Sequence, residues 1–201
     1  MSHRSTIFEG IRKALAPLEE RAAYPDYDPV IASPLWLKDE PDNAALFAKR
    51  LQAVGGKFFS TMAECGAWLI ADGAKTVYIA PVLKELVHQM PPGLTVTHEY
   101  DRTMIDQIDA ALTPATFGIA ESGTVGLTDK DTPDRLAALA PWRHVAVLYR
   151  DQIVRTIPDA LASLPPDPNI VFVTGPSKTA DVEGILIQGV HGPGQQACLL
   201  I

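Results

Sequence analysis

A cation, a carboxylate and an imidazole lie close together near the end of the chain, at Lys178, Asp181 and His191. They follow the β-branched run at residues 170–174, which predicts a buried strand, and a helical apolar pattern covers residues 179–188. Ligands of open α/β sheets bind beyond the carboxyl ends of strands, where helix N-termini present free N–H groups. The pattern therefore predicts an anion site here, formed by Thr174, Gly175, Ser177, Lys178, Thr179, Asp181 and His191.

A second chemistry-bearing turn follows the predicted strand at residues 116–120. It begins with Glu121, a candidate general base, nucleophile or hydrogen-bond acceptor. Gly123 lets the backbone turn sharply and lets a ligand approach closely. We expect this turn to meet the turn around residue 178 and to form a shared cavity, with Glu121 as the catalytic candidate. The expected ligand contacts from this turn are Ser122, Gly123 and Thr124.

Structural roles compete with both interpretations. In the structural alternative, Glu121 and Thr124 do no more than accept hydrogen bonds from backbone N–H groups of their turn. The polar residues after Thr174 then do no more than cap a helix, and Lys178 is solvated. A helix dipole contributes about 0.3–1 kcal/mol, so anion binding needs Lys178 as well. A lone histidine in a turn, such as His191, is more often a structural hydrogen-bonding group. The run at residues 174–179 lacks the spacing of a Walker A loop, so it does not indicate nucleotide-triphosphate hydrolysis.

The cysteines and histidines do not form a metal-binding pattern. Cys65 and Cys198 are far apart and outside any CxxC motif, which predicts two buried apolar side chains. The chain alone is therefore expected to hold neither an iron–sulfur cluster nor a four-cysteine zinc ion. The histidines show no H-x-x-x-H or H-x-H spacing, so we predict no metal site, and the sequence identifies no cofactor.

Composition limits the class of protein. The chain has 201 residues, 47% hydrophobic and 20% charged, with a formal net charge of -7. These values are ordinary for a globular domain. The sequence also contains no Lys/Arg cluster, which argues against nucleic-acid binding and against attachment to an anionic membrane. We find no secretory signal and no apolar run near the ~20 residues of a membrane span, so the expected location is the cytoplasm.

Strand and helix patterns alternate along most of the chain and predict an α/β fold with a mainly parallel sheet flanked by helices. Residues 1–56 are predicted to form N-terminal helices and a Pro-rich arm packed on the α/β domain at 57–201, as one structural unit. The arm, residues 17–41, could instead embrace a second copy of the chain, which makes a homodimer reasonable. Pro158 is expected to break or kink its helix. Strands are predicted at 76–80, 94–97, 116–120, 144–149, 170–174 and 197–201, and helices at 5–15, 42–54, 61–70, 81–89, 104–111, 133–139, 152–164 and 179–188.

The C-terminal motif resembles one family closely. Residues 174–183, Thr-Gly-Pro-Ser-Lys-Thr-Ala-Asp-Val-Glu, and residues 189–193, Gly-Val-His-Gly-Pro, are similar to the end of the LUD domain of lactate utilisation proteins. Residues 118–124, Gly-Ile-Ala-Glu-Ser-Gly-Thr, and residues 144–147, His-Val-Ala-Val, look like the same family. The resemblance covers most of the chain.

This resemblance implies a fold similar to the NagB/RpiA/CoA-transferase group. It also implies a subunit of a bacterial complex that oxidises L-lactate to pyruvate, with cysteine-rich iron–sulfur subunits as partners and a small anion or cofactor bound at the carboxyl edge of the sheet. The alternative is a free-standing enzyme of the same fold group, a CoA-transferase-like or a phosphosugar- or folate-type enzyme that uses Glu121. Ser122 stands where CoA-transferases have an asparagine, which weakens the analogy to acyl transfer.

Overall fold

The computed structural model describes residues 3–17, 40–132, 134–164, 169–180 and 185–201. The chain divides into two compact units, Met1–Pro34 and Leu35–Ile201. In the first unit, the predicted N-terminal helix is confirmed as α1 (His3–Leu15), and none of its residues is buried. Its apolar side chains at residues 7, 8, 11 and 15 are all exposed. Most of the predicted Pro-rich arm lies outside the described residues.

The second unit contains a central sheet of six strands, numbered along the chain: β1 (Lys57–Phe59), β2 (Thr76–Ile79), β3 (Thr95–Thr97), β4 (Ala110–Pro114), β7 (Arg143–Leu148) and β12 (Gln195–Leu200). The spatial order is β1–β12–β7–β4–β2–β3, and every neighbouring pair is parallel. β-branched and other apolar side chains fill the central strands because both faces of a parallel sheet are covered. The prediction of a mainly parallel sheet is confirmed.

Helices flank this sheet, and their ends follow the sequence signals. Helix α2 (Asn43–Ala53) has Asp42 as its N-cap and ends before Gly55, whose φ is +91°. Helix α3 (Met62–Ala71) begins at the predicted capping pair, because the Thr61 hydroxyl accepts a hydrogen bond from Glu64 N at 3.2 Å. The other helical segments of the described residues are α4 (Arg135–Leu139), α5 (Ile157–Ser163) and the 3-10 helices Pro81–Gln89, Arg102–Gln107 and Arg150–Gln152.

A smaller, four-stranded sheet packs with α2 over one face of the central sheet. It contains β5 (Phe117–Ile119), β6 (Thr124–Thr128), β8 (Ile153–Val154) and β9 (Ile170–Val173), in the order β8–β5–β6–β9. Phe47 and Leu51 of α2 are fully buried in the same apolar cluster as Ala146, Leu148 and Cys198 of the central sheet. Burial of one such side chain stabilises the fold by roughly 1.5–3 kcal/mol, so α2 is an integral part of this unit.

Three predicted helices are wrong at least in part. Residues 104–111 contain the end of a 3-10 turn and the start of β4, where Ala110 and Ala111 pair with both β2 and β7. Residues 152–164 contain β8 and then α5, with Pro158 in its first turn, as the proline signal indicated. In the first case, sheet pairing in the core outweighs the helix propensity of alanine.

The third error affects the predicted site directly. In place of a helix at residues 179–188, the structure has two antiparallel strands, β10 (Lys178–Ala180) and β11 (Leu186–Gln188), with Thr179 opposite Ile187. The apolar residues that suggested a helical face are solvent-exposed, with Ile185 59% and Leu186 68% accessible. The preceding strand, β9, is only half-buried, and not fully buried as predicted.

Candidate functional site

The two predicted turns meet through a chain of hydroxyl groups. Ser122 Oγ lies 2.7 Å from Thr124 Oγ1, which lies 2.7 Å from Thr174 Oγ1. The contact follows from the small sheet, in which β6 and β9 are antiparallel neighbours, so that the start of β6 lies beside the end of β9. The predicted contact between the two turns is therefore confirmed, and the shared cavity expected with it stays a prediction.

These loops lie toward the amino edge of the central sheet, and not at the carboxyl edge as predicted. Gly175 lies against Val54, two residues before the Gly56 that leads into β1; a Cβ atom on Gly175 would be 2.8 Å from Val54 O. A Cβ atom on Gly189 or Gly194 would collide with the ring of Trp142, the residue directly before β7. Both contacts are with residues that precede parallel strands, which places the turns on the side opposite to the usual ligand edge.

Lys178 has a structural partner. Its side chain is exposed, and Nζ donates a hydrogen bond to Val54 O at 3.2 Å, at the C-terminal end of α2. A cation at this end of a helix interacts favourably with its carbonyl groups and dipole. The predicted anion site also required a helix N-terminus after Thr174, and Lys178 begins a strand. The physical basis for an anion site at this turn is therefore lost.

Glu121 stabilises the start of a helix. Its Oε1 accepts a hydrogen bond of 2.6 Å from Ile157 N, the first residue of α5, and its own N–H donates to Arg155 O. A carboxylate at a helix N-terminus satisfies a backbone donor and complements the helix dipole. A nucleophilic or basic role for Glu121 would have to compete with this bond.

Gly123 is required for close packing within the protein. Its φ is +67°, and a Cβ atom there would collide with Leu51 N and lie 2.6 Å from the carbonyl carbon of Arg50. The sequence predicted a close approach at this glycine, and the backbone of α2 makes that approach.

The remaining predicted residues do not converge on one point. Ser177 N donates to Pro193 O, and Gly189 N donates to Ser177 O. These two hydrogen bonds join the start and the end of the β10–β11 hairpin. Thr179 lies within that hairpin, and His191 is exposed in the turn that follows it. Asp181 lies outside the described residues.

The structure has a large cavity at the carboxyl edge, which the sequence analysis did not identify. Its volume is about 820 Å³, and it lies at the other end of the small sheet, where β5 and β9 begin and β6 ends. Thr116 follows β4, while Asp151 and Gln152 follow β7, so the cavity is next to two neighbouring parallel strands. Its lining residues are Thr116, Phe117, Thr128, Asp129, Lys130, Asp131, Asp151, Gln152, Val154, Ser163, Leu164 and Asn169.

Hydrogen bonds hold the polar wall of this cavity. Thr116 Oγ1 and Thr128 Oγ1 are 2.8 Å apart, and the Thr128 hydroxyl also donates to Asp131 at 3.4 Å. Asp129 pairs with Arg135 at 2.7 Å, and Arg135 donates a second hydrogen bond to the side-chain oxygen of Asn169. Phe117, Val154 and Leu164 supply apolar surface. One signal could have located the cavity: carboxylates and hydroxyls follow β4 and β7 closely in sequence.

A histidine with a strongly lowered pKa lies elsewhere, in the core of the central sheet. His144 is fully buried between Thr113 Oγ1 and Gln196 Oε1, both 2.9 Å from its ring nitrogens. Burial lowers the pKa of His144 to about 4, although the hydrogen bond with Gln196 partly opposes that change. His144 is therefore neutral near pH 7 and links three neighbouring strands.

The cysteine prediction is confirmed for both residues, which are buried. Burial raises the pKa of the Cys65 thiol to about 12, and burial together with the nearby Cys65 raises the pKa of Cys198. Across the described ranges, no cluster of three or more His, Cys, Asp or Glu side chains is arranged to hold a metal ion. No helix within those same ranges combines the length and the apolar character of a membrane span.

The fold and the cavity define an α/β protein with a parallel sheet, a smaller inserted sheet and a pocket at the carboxyl edge. A family model for the LUD domain matches residues 84–201, more than half of the chain, and the chain belongs to this family. The match confirms the resemblance of the C-terminal motifs.

Curated relatives named Lactate utilization protein C match parts of the chain. The protein of Deinococcus radiodurans is 32% identical over 102 residues, which cover 48% of this chain and 48% of that protein. The protein of Geobacillus thermodenitrificans is 30% identical over 135 residues, covering 59% and 56%, respectively. That of Bacillus subtilis is 32% identical over 104 residues, covering 48% and 43%. The chain thus spans about half the length of these relatives.

A solved structure agrees with the fold. The crystal structure of a DUF162 family protein from Deinococcus radiodurans superposes with a TM-score of 0.58 at 22% identity. The superposition covers 83% of this chain and 99% of that one. It therefore supports the same α/β architecture over most of the sequence.

Proposed function

We propose that this chain is a non-redox component of a bacterial lactate-utilisation system, which acts beside partner proteins that carry iron–sulfur centres. The proposal depends on the LUD domain match over residues 84–201, together with relatives named Lactate utilization protein C. In this proposal, the chain contributes binding and assembly, and its cysteine-rich partners contribute electron transfer.

The state of the two cysteines supports the non-redox part of the proposal. Iron binds the thiolate form of cysteine, and burial in apolar surroundings disfavours that form. Cys65 and Cys198 are both fully buried, and the pKa of each thiol is raised far above neutral pH. Side chains in this environment serve as packing groups in the core.

Growth of the native host on L-lactate tests the role. We expect deletion of the gene to abolish growth on lactate and to leave growth on glucose intact. The parent gene and a Cys65→Ala/Cys198→Ala double variant should both restore growth, provided that circular dichroism shows the double variant to be folded. Unimpaired growth of the deletion strain on lactate would refute the lactate role.

Two further observations would refute the non-redox assignment. A folded double variant that fails to restore growth would mean that a cysteine has more than a packing role. Affinity purification of the tagged chain from lactate-grown cells should recover a cysteine-rich partner that contains iron. Iron bound stoichiometrically to this chain alone, without that partner, would contradict the proposal.

A further inference from the structure

The cavity at the carboxyl edge has the position and size of a small-molecule site. It lies where Thr116 follows β4 and Asp151 follows β7, and ligands of open α/β sheets bind beyond the carboxyl ends of such strands. Its volume of about 820 Å³ falls within the usual range of roughly 300–1,000 Å³ for ligand pockets. None of the predicted site residues that the structure describes lines it.

The charges around the cavity disfavour small anions. Among the described residues, three carboxylates line it, Asp129, Asp131 and Asp151, against one cation, Lys130. Arg135 pairs with Asp129, so three negative and two positive charges leave a net charge of −1. Lactate and phosphate would meet carboxylates that are acceptors only and that repel them.

The hydrogen-bonding groups favour a ligand that donates. Thr128 donates to Asp131, whereas the exposed side chain of Asp151 has no hydrogen bond or ion pair among the described residues. Asp151 follows β7 closely, and a carboxylate in such a position can accept hydrogen bonds from the two hydroxyls of a ribose. Val154 and Leu164 offer apolar surface to a flat ring.

We propose that this cavity binds a neutral nucleoside, with the ribose hydroxyls on Asp151 and the base against the apolar wall that includes Val154. The ligand class follows from the acceptor-rich rim, the apolar wall and the volume taken together. The inference is independent of the role in lactate utilisation, because it concerns a binding equilibrium of the isolated chain.

Isothermal titration calorimetry of the full chain with adenosine tests the site. We expect saturable binding of one adenosine per chain, and at least tenfold weaker binding of 2′,3′-dideoxyadenosine, which lacks the diol. AMP should also bind more weakly than adenosine because its phosphate meets the carboxylate rim. No detectable binding of adenosine at millimolar concentration, or tighter binding of AMP than of adenosine, would overturn the proposal.

Two variants test the location. Asp151→Asn should weaken adenosine binding about tenfold, as expected for loss of a charge-assisted hydrogen bond. The matched control Asp106→Asn, at an exposed aspartate in the 3-10 turn Arg102–Gln107, should leave the affinity unchanged. Val154→Trp should fill the cavity and abolish binding. Because Asp151 is on the surface, its variant remains informative even if Val154→Trp does not fold. Unchanged affinity in Asp151→Asn would refute the proposed contact.

Discussion

Replacement of Gly123 by alanine should destabilise the protein far more than the same change at Gly73. Both glycines have positive φ angles, +67° and +86°, so an alanine at either position adopts a left-handed conformation. That conformation costs about 1–2 kcal/mol for a residue with a Cβ atom. The two sites therefore share the backbone penalty and differ in their surroundings.

The difference lies in what the new methyl group would contact. At Gly73 no atom lies within 4 Å of the Cβ position, whereas at Gly123 the Cβ atom would lie 2.6 Å from the carbonyl carbon of Arg50 and 2.7 Å from Leu51 Cα. These are backbone atoms of α2, which cannot move without displacing the helix. Overpacking adds about 1–3 kcal/mol, so we expect a total loss of roughly 2–5 kcal/mol for Gly123→Ala, against about 1–2 kcal/mol for Gly73→Ala.

Urea unfolding followed by circular dichroism measures both free energies, with the slope m as a check on the two-state assumption. Gly73→Ala controls for the positive φ angle. If the two variants lose equal stability, the backbone of α2 does not pack against the Glu121–Thr124 turn as the structure shows. The proposed explanation for this glycine, close packing within the protein, would then be wrong.

Three other perturbations give distinct expectations. The pKa of His144 falls from 6.5 to about 4 on folding, so the unfolded chain binds more protons than the folded chain between these two pH values. The free energy of unfolding should therefore drop by about 2 kcal/mol from pH 7 to pH 5. Urea titrations should show a smaller drop for His144→Gln, and equal pH slopes would contradict the assignment. Buried Cys65 and Cys198 should resist a thiol reagent such as DTNB until urea unfolds the protein, and rapid labelling of the native protein would contradict their burial. Lys178→Met removes the hydrogen bond to Val54 O and should cost less than about 1 kcal/mol, without changing the thermal shift caused by phosphate. A phosphate shift that disappears in Lys178→Met would restore the anion site.

Much of the fold could be predicted because its signals are local. The Thr61–Glu64 pair located the start of α3, and apolar β-branched runs located the strands that fill the core. Where a segment's conformation depends on a distant partner, local signals failed. Ala110 and Ala111 favour a helix alone, but they form a strand because β2 and β7 lie on either side of them.

The candidate site shows the same limit. The contact between the two turns was predicted correctly, because Thr124 begins β6 and Thr174 directly follows β9, its antiparallel neighbour in the small sheet. The shared cavity expected there stays a prediction. The position of these turns at the amino edge was not predicted, because it depends on contacts with residues distant in sequence, such as Val54 and Trp142. A helical spacing of apolar residues also misled at residues 179–188, where a hairpin exposes Leu186 and Ile187 to solvent.

The small sheet explains why the two ends of the molecule differ in chemistry. At the end near β1, the hydroxyls of Thr124 and Thr174 bond to each other and Lys178 bonds to α2, so these three side chains have partners within the protein. At the opposite end, Asp151 keeps its accepting capacity beside an open volume. Buried or clustered polar groups that satisfy one another stabilise a fold, whereas acceptors next to a cavity are available to a ligand. The C-terminal motifs that resemble the family therefore lie mainly at the end near β1, and the proposed nucleoside site lies where the sequence analysis found no motif.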